Sequence, residues 1–285
     1  GAGSGAAVVD AFASLNVVDL KVQDDLTVTD DVIIGGDIDL EGSIDVNGTA
    51  NLDVVDVDGA ANFAADVTFA DGADIITASA GTSNTRVGVN AGNSIQSGGN
   101  YNTVVGDEAG TAITTGDENT AIGSESLDAL NTGQYNTAVG KGTLSADTKG
   151  SQSTAVGTNA LQTQNFTSST NSLNTAVGYY AGQAVTTGVQ NTLIGGLAGD
   201  AITTANDNTA LGYAALTANT TGHSNTALGR LALTANTTAS NNTAVGFNSL
   251  VSNTTAAHGT AVGNSALGAN TTGTRNTAVG SGAAD

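Results

Sequence analysis

Residues 208–229 read NTALGYAALTANTTGHSNTALG, and the five residues that open this stretch return unchanged at its end, 17 residues later. Variants of the same five-residue motif begin twelve times between residues 84 and 276. Nine of the eleven steps between copies are 17 residues long, and the other two are 18 and 21. A repeat of nearly constant length indicates stacked structural units, each covered by the next. The copies begin at Asn84, Asn102, Asn119, Asn136, Ser153, Asn174, Asn191, Asn208, Asn225, Asn242, Gly259 and Asn276.

The residue types within one unit predict a short strand that ends in a bend. Side chains alternate along a strand, so Thr209 and Leu211 share one face while Asn208 and Ala210 share the other. We expect the threonine methyl group and the aliphatic side chain to be buried, and the small alanine to let neighbouring chains approach closely. Gly212 then ends the strand, because a residue with a Cβ adopts such a bend only at a cost.

The next copy, with Asn225, Thr226 and Gly229 at the equivalent places, predicts the same strand again. Between the copies, Ala215–Leu216 predicts a second short strand, and residues 219–222 (NTTG) predict a polar turn whose Asn and Gly suit left-handed conformations. Two helices with their loops need about twice this length, and the Gly and Thr content opposes helix. The chain is therefore predicted to be all-β, a parallel β-solenoid (a β-roll or β-helix) of about twelve 17-residue coils. At about 4.8 Å per coil, such a rod is about 55–60 Å long.

The amino-acid composition explains why a single coil needs neighbours. The 285 residues include 39 Gly, only 4% aromatic residues and no Cys, Met, Trp or Pro, so the apolar share comes largely from Ala and Val. Burial of a few such side chains barely offsets the ordering of one coil, which costs about 1–2 kcal/mol per residue for the backbone alone. Stacking reduces this deficit and association of chains reduces it further. We therefore expect an intertwined homotrimer around a common axis.

The net charge of −20 is concentrated in the first part of the chain, where residues 1–80 hold 16 of the 26 acidic residues. An acidic rod repels nucleic acid and anionic lipid, so neither is an expected partner. No apolar run is long enough to cross a bilayer as a helix. The absence of Cys removes disulfides and thiolate metal sites.

Residues 20–49 follow a different period, with apolar residues at the first and third places of five consecutive hexads. This pattern predicts a triangular β-prism, formed within one chain or by three chains that each provide a face. We therefore divide the chain into a connector (residues 1–19), an acidic hexad-repeat β shaft (20–80) and the solenoid (81–285). The hexad pairs are Leu20/Val22, Leu26/Val28, Val32/Ile34, Ile38/Leu40 and Ile44/Val46, each followed by turn-forming residues.

The repeated string NTAVG…AL…NTTG…NTAVG resembles the head repeats of trimeric autotransporter adhesins, and resembles more closely the repeat arrays in tail fibres of tailed phages. The resemblance covers residues 84–285 and, less closely, 20–76. The 17-residue step is longer than that of the adhesin heads, which leaves the coil shape open. The resemblance implies a structural fibre of a virion tail, located outside the cell, that attaches to a host or another surface. The alternative that it implies is the passenger of a bacterial trimeric surface adhesin.

Such a fibre implies three kinds of partner: further copies of the same chain, other fibre or baseplate proteins, and a cell-surface glycan or protein receptor. No Ser-His-Asp arrangement recurs and no phosphate-binding loop occurs, so neither an enzyme nor a cofactor is expected. Two further alternatives are a glycan-degrading β-helical enzyme with paired carboxylates between subunits, and an ice-binding threonine ladder. Both fit the sequence less well than a fibre does.

Two groups of residues are candidate sites. Asp53, Asp56 and Asp58 are candidate calcium ligands, although their spacing departs from an EF-hand and turn residues on a wet edge are the simpler interpretation. Phe166, Tyr179 and Tyr180 lie around the 21-residue step, where four extra residues are expected to bulge from the rod. Exposed aromatic side chains in such a loop are candidates for surface recognition. The alternative for Phe166 is that it folds back as a local plug.

Overall fold

The computed structural model describes residues 79–285. The predicted connector, nearly all of the predicted shaft and the three aspartates Asp53, Asp56 and Asp58 lie outside the described residues. Within the described part the protein is all-β and contains no helix, and the chain winds into a parallel β-solenoid of about eleven turns. This confirms the solenoid that the repeat predicts.

Twelve three-residue strands, one per motif copy, form a single parallel sheet along the solenoid. The pairing keeps equivalent residues in register, so that Thr209 lies opposite Thr226 and Leu211 opposite Leu228. Two shorter strands, β5 (Gly150–Ser151) and β7 (Thr170–Asn171), pair with each other beside the long coil. The strands of the large sheet are β1 (Thr85–Val87), β2 (Thr103–Val105), β3 (Thr120–Ile122), β4 (Thr137–Val139), β6 (Thr154–Val156), β8 (Thr175–Val177), β9 (Thr192–Ile194), β10 (Thr209–Leu211), β11 (Thr226–Leu228), β12 (Thr243–Val245), β13 (Thr260–Val262) and β14 (Thr277–Val279).

The strand faces are the reverse of the prediction. Asn208 and Ala210 point into the coil and are 0% exposed, whereas Leu211 is 48% exposed on the outside and Thr209 is half-buried. Because a coil this short encloses a narrow interior, its strand can contribute only small inward side chains, and the large inward residue, Leu216, comes from the opposite segment. The alanine therefore packs within its own chain, and the threonine and aliphatic side chains form the outer surface.

The predicted second strand at Ala215–Leu216 is wrong, because this segment is a run of turns. Leu216 has a φ of 57°, and its carbonyl accepts a hydrogen bond from the Asn219 N–H at 3.1 Å. The predicted left-handed residues of the polar turn are also wrong: the left-handed residue is Ser224, with a φ of 57°, rather than Asn219 or Gly222. These local conformations turn Leu216 inward and return the chain to the next strand.

In most coils the interior pairs a large residue on one side with a small residue on the other. Where the strand carries Leu193, the turn carries Gly199, whose added Cβ would lie 2.8 Å from the leucine Cδ2. Where the strand carries Ala210, the turn carries Leu216 instead. The coil of Ala176 has the small Gly182 at its turn as well, and leucines of the neighbouring coils fill it: a Cβ on Gly182 would lie 2.7 Å from Leu193 Cδ1 and 3.0 Å from Leu161 Cδ2. The core is therefore packed both within and between coils.

The asparagine that opens most of the motif copies builds a buried ladder of amides. The Oδ1 of Asn208 accepts hydrogen bonds from the backbone N–H of Asn225 at 3.1 Å and from its Nδ2–H at 3.2 Å. The Nδ2 of Asn225 also donates to the carbonyl of Ala239 at 2.9 Å. A second ladder, formed by Asn219, Asn236 and Asn253, runs through the later coils. Buried amides are stable only when their donors and acceptors are paired, and the coil repeat supplies those partners.

Candidate functional site

The outward aliphatic residue of each strand forms a continuous strip on one face of the solenoid, which we call the aliphatic ladder. A threonine two residues earlier accompanies each of its members, and it is half-buried in every strand except the first and the last. Parallel pairing in register places each member about 4.8 Å from the next. The members are Val87, Val105, Ile122, Val139, Val156, Val177, Ile194, Leu211, Leu228, Val245, Val262 and Val279.

The long coil between Ser153 and Asn174 carries a buried polar cluster in place of the usual ladder. The carboxylate of Asp147 accepts from the backbone N–H of Gly150 at 2.9 Å and from Nε2 of Gln164 at 2.6 Å. Nε2 of Gln164 also donates to Oγ of Ser153 at 2.9 Å, and its Oε1 accepts from Asn174 at 2.8 Å. The glutamine therefore bridges the break in the asparagine ladder at the place where the motif has serine.

The extra residues of this coil bulge outward as the sequence predicts, with Thr167, Ser168 and Ser169 exposed. Phe166 does not take part in this surface, because it is only 6% exposed. Its backbone N–H donates to the Asp147 carboxylate at 3.2 Å, and its carbonyl accepts from Thr148 at 2.9 Å. Phe166 therefore forms the local plug, and its place among the surface-recognition candidates is not supported.

The other two predicted residues lie at the surface and touch each other. Tyr179 is 56% exposed and Tyr180 is half-buried, and their ring centroids are 4.0 Å apart with the planes tilted by 34°. A hydrogen bond with Tyr180 raises the pKa of Tyr179 above its ordinary value. Tyr179 occupies the motif place that follows the glycine bend.

Two aromatic residues that the sequence reasoning missed occupy the same motif place in later coils. Tyr213 and Phe247 each follow the glycine bend, and with Tyr179 they recur at steps of 34 residues. Tyr213 is 53% exposed, while Phe247 is 39% exposed because the Arg230 guanidinium lies 5.4 Å from its ring centroid. We call these three residues the aromatic row. Alignment of the motif copies would have shown this spacing from the sequence.

The first coils of the described region carry an acidic surface that includes Asp128. Burial raises the pKa of the Asp128 carboxyl, and the charges of Glu125 and Glu108 raise it further. Its Oδ1 is buried without a hydrogen-bond partner among the described residues. Among residues 79–285, no three acidic or histidine side chains come together in a way that could hold a metal ion.

We expect Asp128→Asn to stabilise the protein at neutral pH. Because the folded state raises the pKa of this carboxyl, folding disfavours its ionised form, and stability falls as the pH rises above the ordinary value of 3.8. The gain should be under about 1 kcal/mol, since the side chain is partly exposed and screened. Denaturant unfolding at several pH values measures it, and the gain should disappear below the ordinary pKa. Asp207→Asn, at an exposed position, is the matched control for removal of one surface charge. A gain in the Asp128 variant that persists in acid would contradict the assignment.

Helices long and apolar enough to cross a membrane do not occur in residues 79–285. Comparison of the chain with protein families, with characterised proteins and with solved structures finds no match.

Proposed function

We propose that this chain is a structural fibre protein, in which three copies associate along their solenoids into an elongated rod that serves attachment to a host or another surface. A phage tail fibre is the leading form of this proposal, and the passenger of a bacterial surface adhesin is the alternative. In either form the protein acts outside the cell and has no catalytic role.

The aliphatic ladder carries the proposal. It runs along all twelve strands of the sheet, and several of its members are more than a third exposed in the single chain, among them Ile122, Leu211 and Val262. A soluble monomer rarely leaves a contiguous apolar strip of this length uncovered. Burial of such a strip contributes roughly 25 cal/mol per Å² of apolar area, which adds to the modest stability of each coil.

A second and third copy of the chain suit this strip better than an unrelated partner does. The ladder repeats at the strand spacing over its whole length, and a partner that packs against every rung must have the same period. Parallel copies around a three-fold axis meet this condition, because each copy presents the same ladder to the axis at the same height. The outward positions of the strands in this sheet carry only threonine and aliphatic residues, so the association brings no like charges together there.

The trimer predicts a mass in solution of three times the 27.6 kDa of one chain. Sedimentation equilibrium or light scattering on the full chain measures it. Leu211→Asp should reduce the assembly to monomers or lower its dissociation temperature markedly, because it places three carboxylates together at the apolar axis.

Thr221→Asp is the matched control, since Thr221 is exposed at the polar turn and lies outside the ladder. This variant should remain trimeric. A wild-type chain that sediments as a monomer would overturn the proposal, and so would a Leu211→Asp variant that assembles as well as the wild type does.

Ice binding is a second candidate function. The motif threonines, which were expected from the sequence to be partly buried in the core, lie on the outer surface of the solenoid. Most of those in the strands are half-buried and flank the aliphatic ladder, and a further set is exposed at the polar turns. Threonine hydroxyl and methyl groups repeated at about 4.8 Å on a rigid sheet could order water in a lattice. Inhibition of ice recrystallisation by the monomer, lost in Thr209→Lys, would favour this function over the fibre. The exposed set comprises Thr115, Thr132, Thr187, Thr204, Thr221, Thr238, Thr255 and Thr272.

A further inference from the structure

We propose that the aromatic row, Tyr179, Tyr213 and Phe247, is a stacking platform for an extended neutral glycan that lies along the rod. This inference rests on the proposed attachment function and names the class of receptor that the rod would take. The row is distinct from the bulge of the long coil, where the sequence had placed recognition.

The spacing of the three rings is the first argument. Strands β8, β9 and β10 pair in register, so Tyr179 and Tyr213 stand two coils apart, or about 10 Å along the axis. Phe247 follows two further coils along the same sheet. A pyranose ring in an extended, equatorially linked glycan advances the chain by a length similar to one coil spacing. Alternate sugars of such a glycan would therefore meet successive rings of the row.

The two coils between the rings differ in how far they cover the row. Gly196 occupies the intervening place between Tyr179 and Tyr213, and a Cβ added there would lie 3.6 Å from Cδ2 of Tyr213. No side chain at position 196 therefore separates the Tyr179 and Tyr213 rings. Between Tyr213 and Phe247 the intervening residue is Arg230, whose guanidinium lies over the phenyl ring, 5.4 Å from its centroid. A sugar at this end of the row has to stack on the part of the Phe247 ring that stays exposed, which is 39% of the residue.

The chemistry of the row fits a neutral sugar better than a charged ligand. Aromatic rings stack on the apolar C–H faces of pyranoses, while nearby N–H and O–H groups bond the equatorial hydroxyls. Arg230 and the Tyr213 hydroxyl are such groups. Residues 174–258 contain only two acidic residues and one basic residue, so this segment offers no field that would select a polyanion or a polycation.

A glycan microarray probed with the full-length chain tests the proposal, followed by titration calorimetry with cello-, chito-, xylo- and manno-oligosaccharides of two to six units. We expect binding to at least one neutral, equatorially linked series, with affinity that rises until the glycan spans the row, at about five units for five coils. Replacing Tyr213 by serine should weaken binding about fivefold, which corresponds to the usual contribution of one aromatic stack. The triple variant with Tyr179, Tyr213 and Phe247 all changed to serine should not bind.

The controls separate stacking from a merely structural role. Tyr213→Phe and Phe247→Tyr keep the rings and should bind within about twofold of the wild type. Tyr101→Ser and Tyr135→Ser remove exposed rings at a different motif place, directly before the opening asparagine, and should leave affinity unchanged. The proposal would be overturned if the array bound no neutral glycan, or if the affinity did not change with glycan length. It would also be overturned if the Tyr101 and Tyr135 variants lost as much affinity as the variants of the row.

Sedimentation of the same samples keeps this proposal separate from the fibre. A trimer that binds no glycan would remove the platform and leave the fibre intact, whereas a monomer would remove the fibre whatever it binds. Dissociation of the trimer by the serine variants would assign the row to the contact between copies, which also overturns the glycan platform.

Discussion

Replacing Gly195 by alanine is expected to lower the free energy of unfolding by about 3–5 kcal/mol. Gly195 ends strand β9 with a φ of 130°, a conformation that a residue with a Cβ rarely adopts. The added Cβ would also lie 2.5 Å from the carbonyl oxygen of Gly212, one coil further along. Neither backbone can yield easily, because the Gly195 N–H donates to Val177 and the Gly212 N–H donates to Ile194, both at 2.8 Å. Thermal melts followed by circular dichroism measure the loss.

The neighbouring residue provides the matched control. Gly196 has no positive φ, and the nearest atom to its added Cβ is the Tyr213 Cδ2 at 3.6 Å, which is an ordinary contact. Gly196→Ala should therefore be neutral or stabilise by up to about 1 kcal/mol, since alanine restricts the unfolded chain. Hydrogen exchange should show that Gly195→Ala opens the coils beside the substitution first, because each coil contacts only its neighbours. Equal stability of the two variants would contradict the steric argument.

The 17-residue period is enough to predict the solenoid fold. Hydrophobicity alone, however, predicts the wrong face of each strand to be the one that points into the coil. Leu211 is more apolar than Ala210 and was expected inside, but in a strand of three residues the volume available within the coil decides. The sequence does contain the relevant signal. A larger strand residue, such as Val104 or Leu193, always coincides with glycine at the facing turn in its own coil, Gly110 or Gly199.

The turn conformation of the segment around Ala215–Leu216 cannot be predicted from the conformational preferences of its residues. Leu216 adopts a left-handed conformation, which costs energy for a residue with a branched side chain, and its burial in the core compensates for that cost. The exposed aromatic residues are a different case. Tyr213 and Phe247 occupy a motif place that the repeat defines, so their shared spacing was present in the sequence and only their exposure needed the structure.

We expect Asn208→Ala to destabilise the protein by about 3 kcal/mol. The Asn208 side chain is fully buried, and its Oδ1 is the acceptor for both the backbone N–H and the Nδ2–H of Asn225. Alanine leaves that backbone N–H buried without an acceptor, and it removes the donor that reaches the carbonyl of Asn206 at 3.1 Å. Denaturant unfolding measures the effect, and exchange of the Asn225 amide should accelerate more than that of amides several coils away.

The variant Asn208→Leu tests whether hydrogen bonding of the amide ladder or packing of the buried side chain stabilises the coil. Leucine has the branched shape of asparagine but offers no acceptor to Asn225, and its methyl groups are too bulky for the contacts of 3.1–3.2 Å that the amide makes. It should therefore destabilise the protein at least as much as alanine does. The coil that begins at Gly259 allows the converse test, because its backbone N–H donates to Asn242 Oδ1 at 2.8 Å but it has no side chain to continue the ladder. A Cβ there would lie 3.2 Å from Asn242 Oδ1 and 3.5 Å from Leu250, so Gly259→Asn fits with a small adjustment and should stabilise by about 1 kcal/mol. If leucine at position 208 restored wild-type stability while Gly259→Asn had no effect, packing rather than hydrogen bonding would account for the buried asparagines.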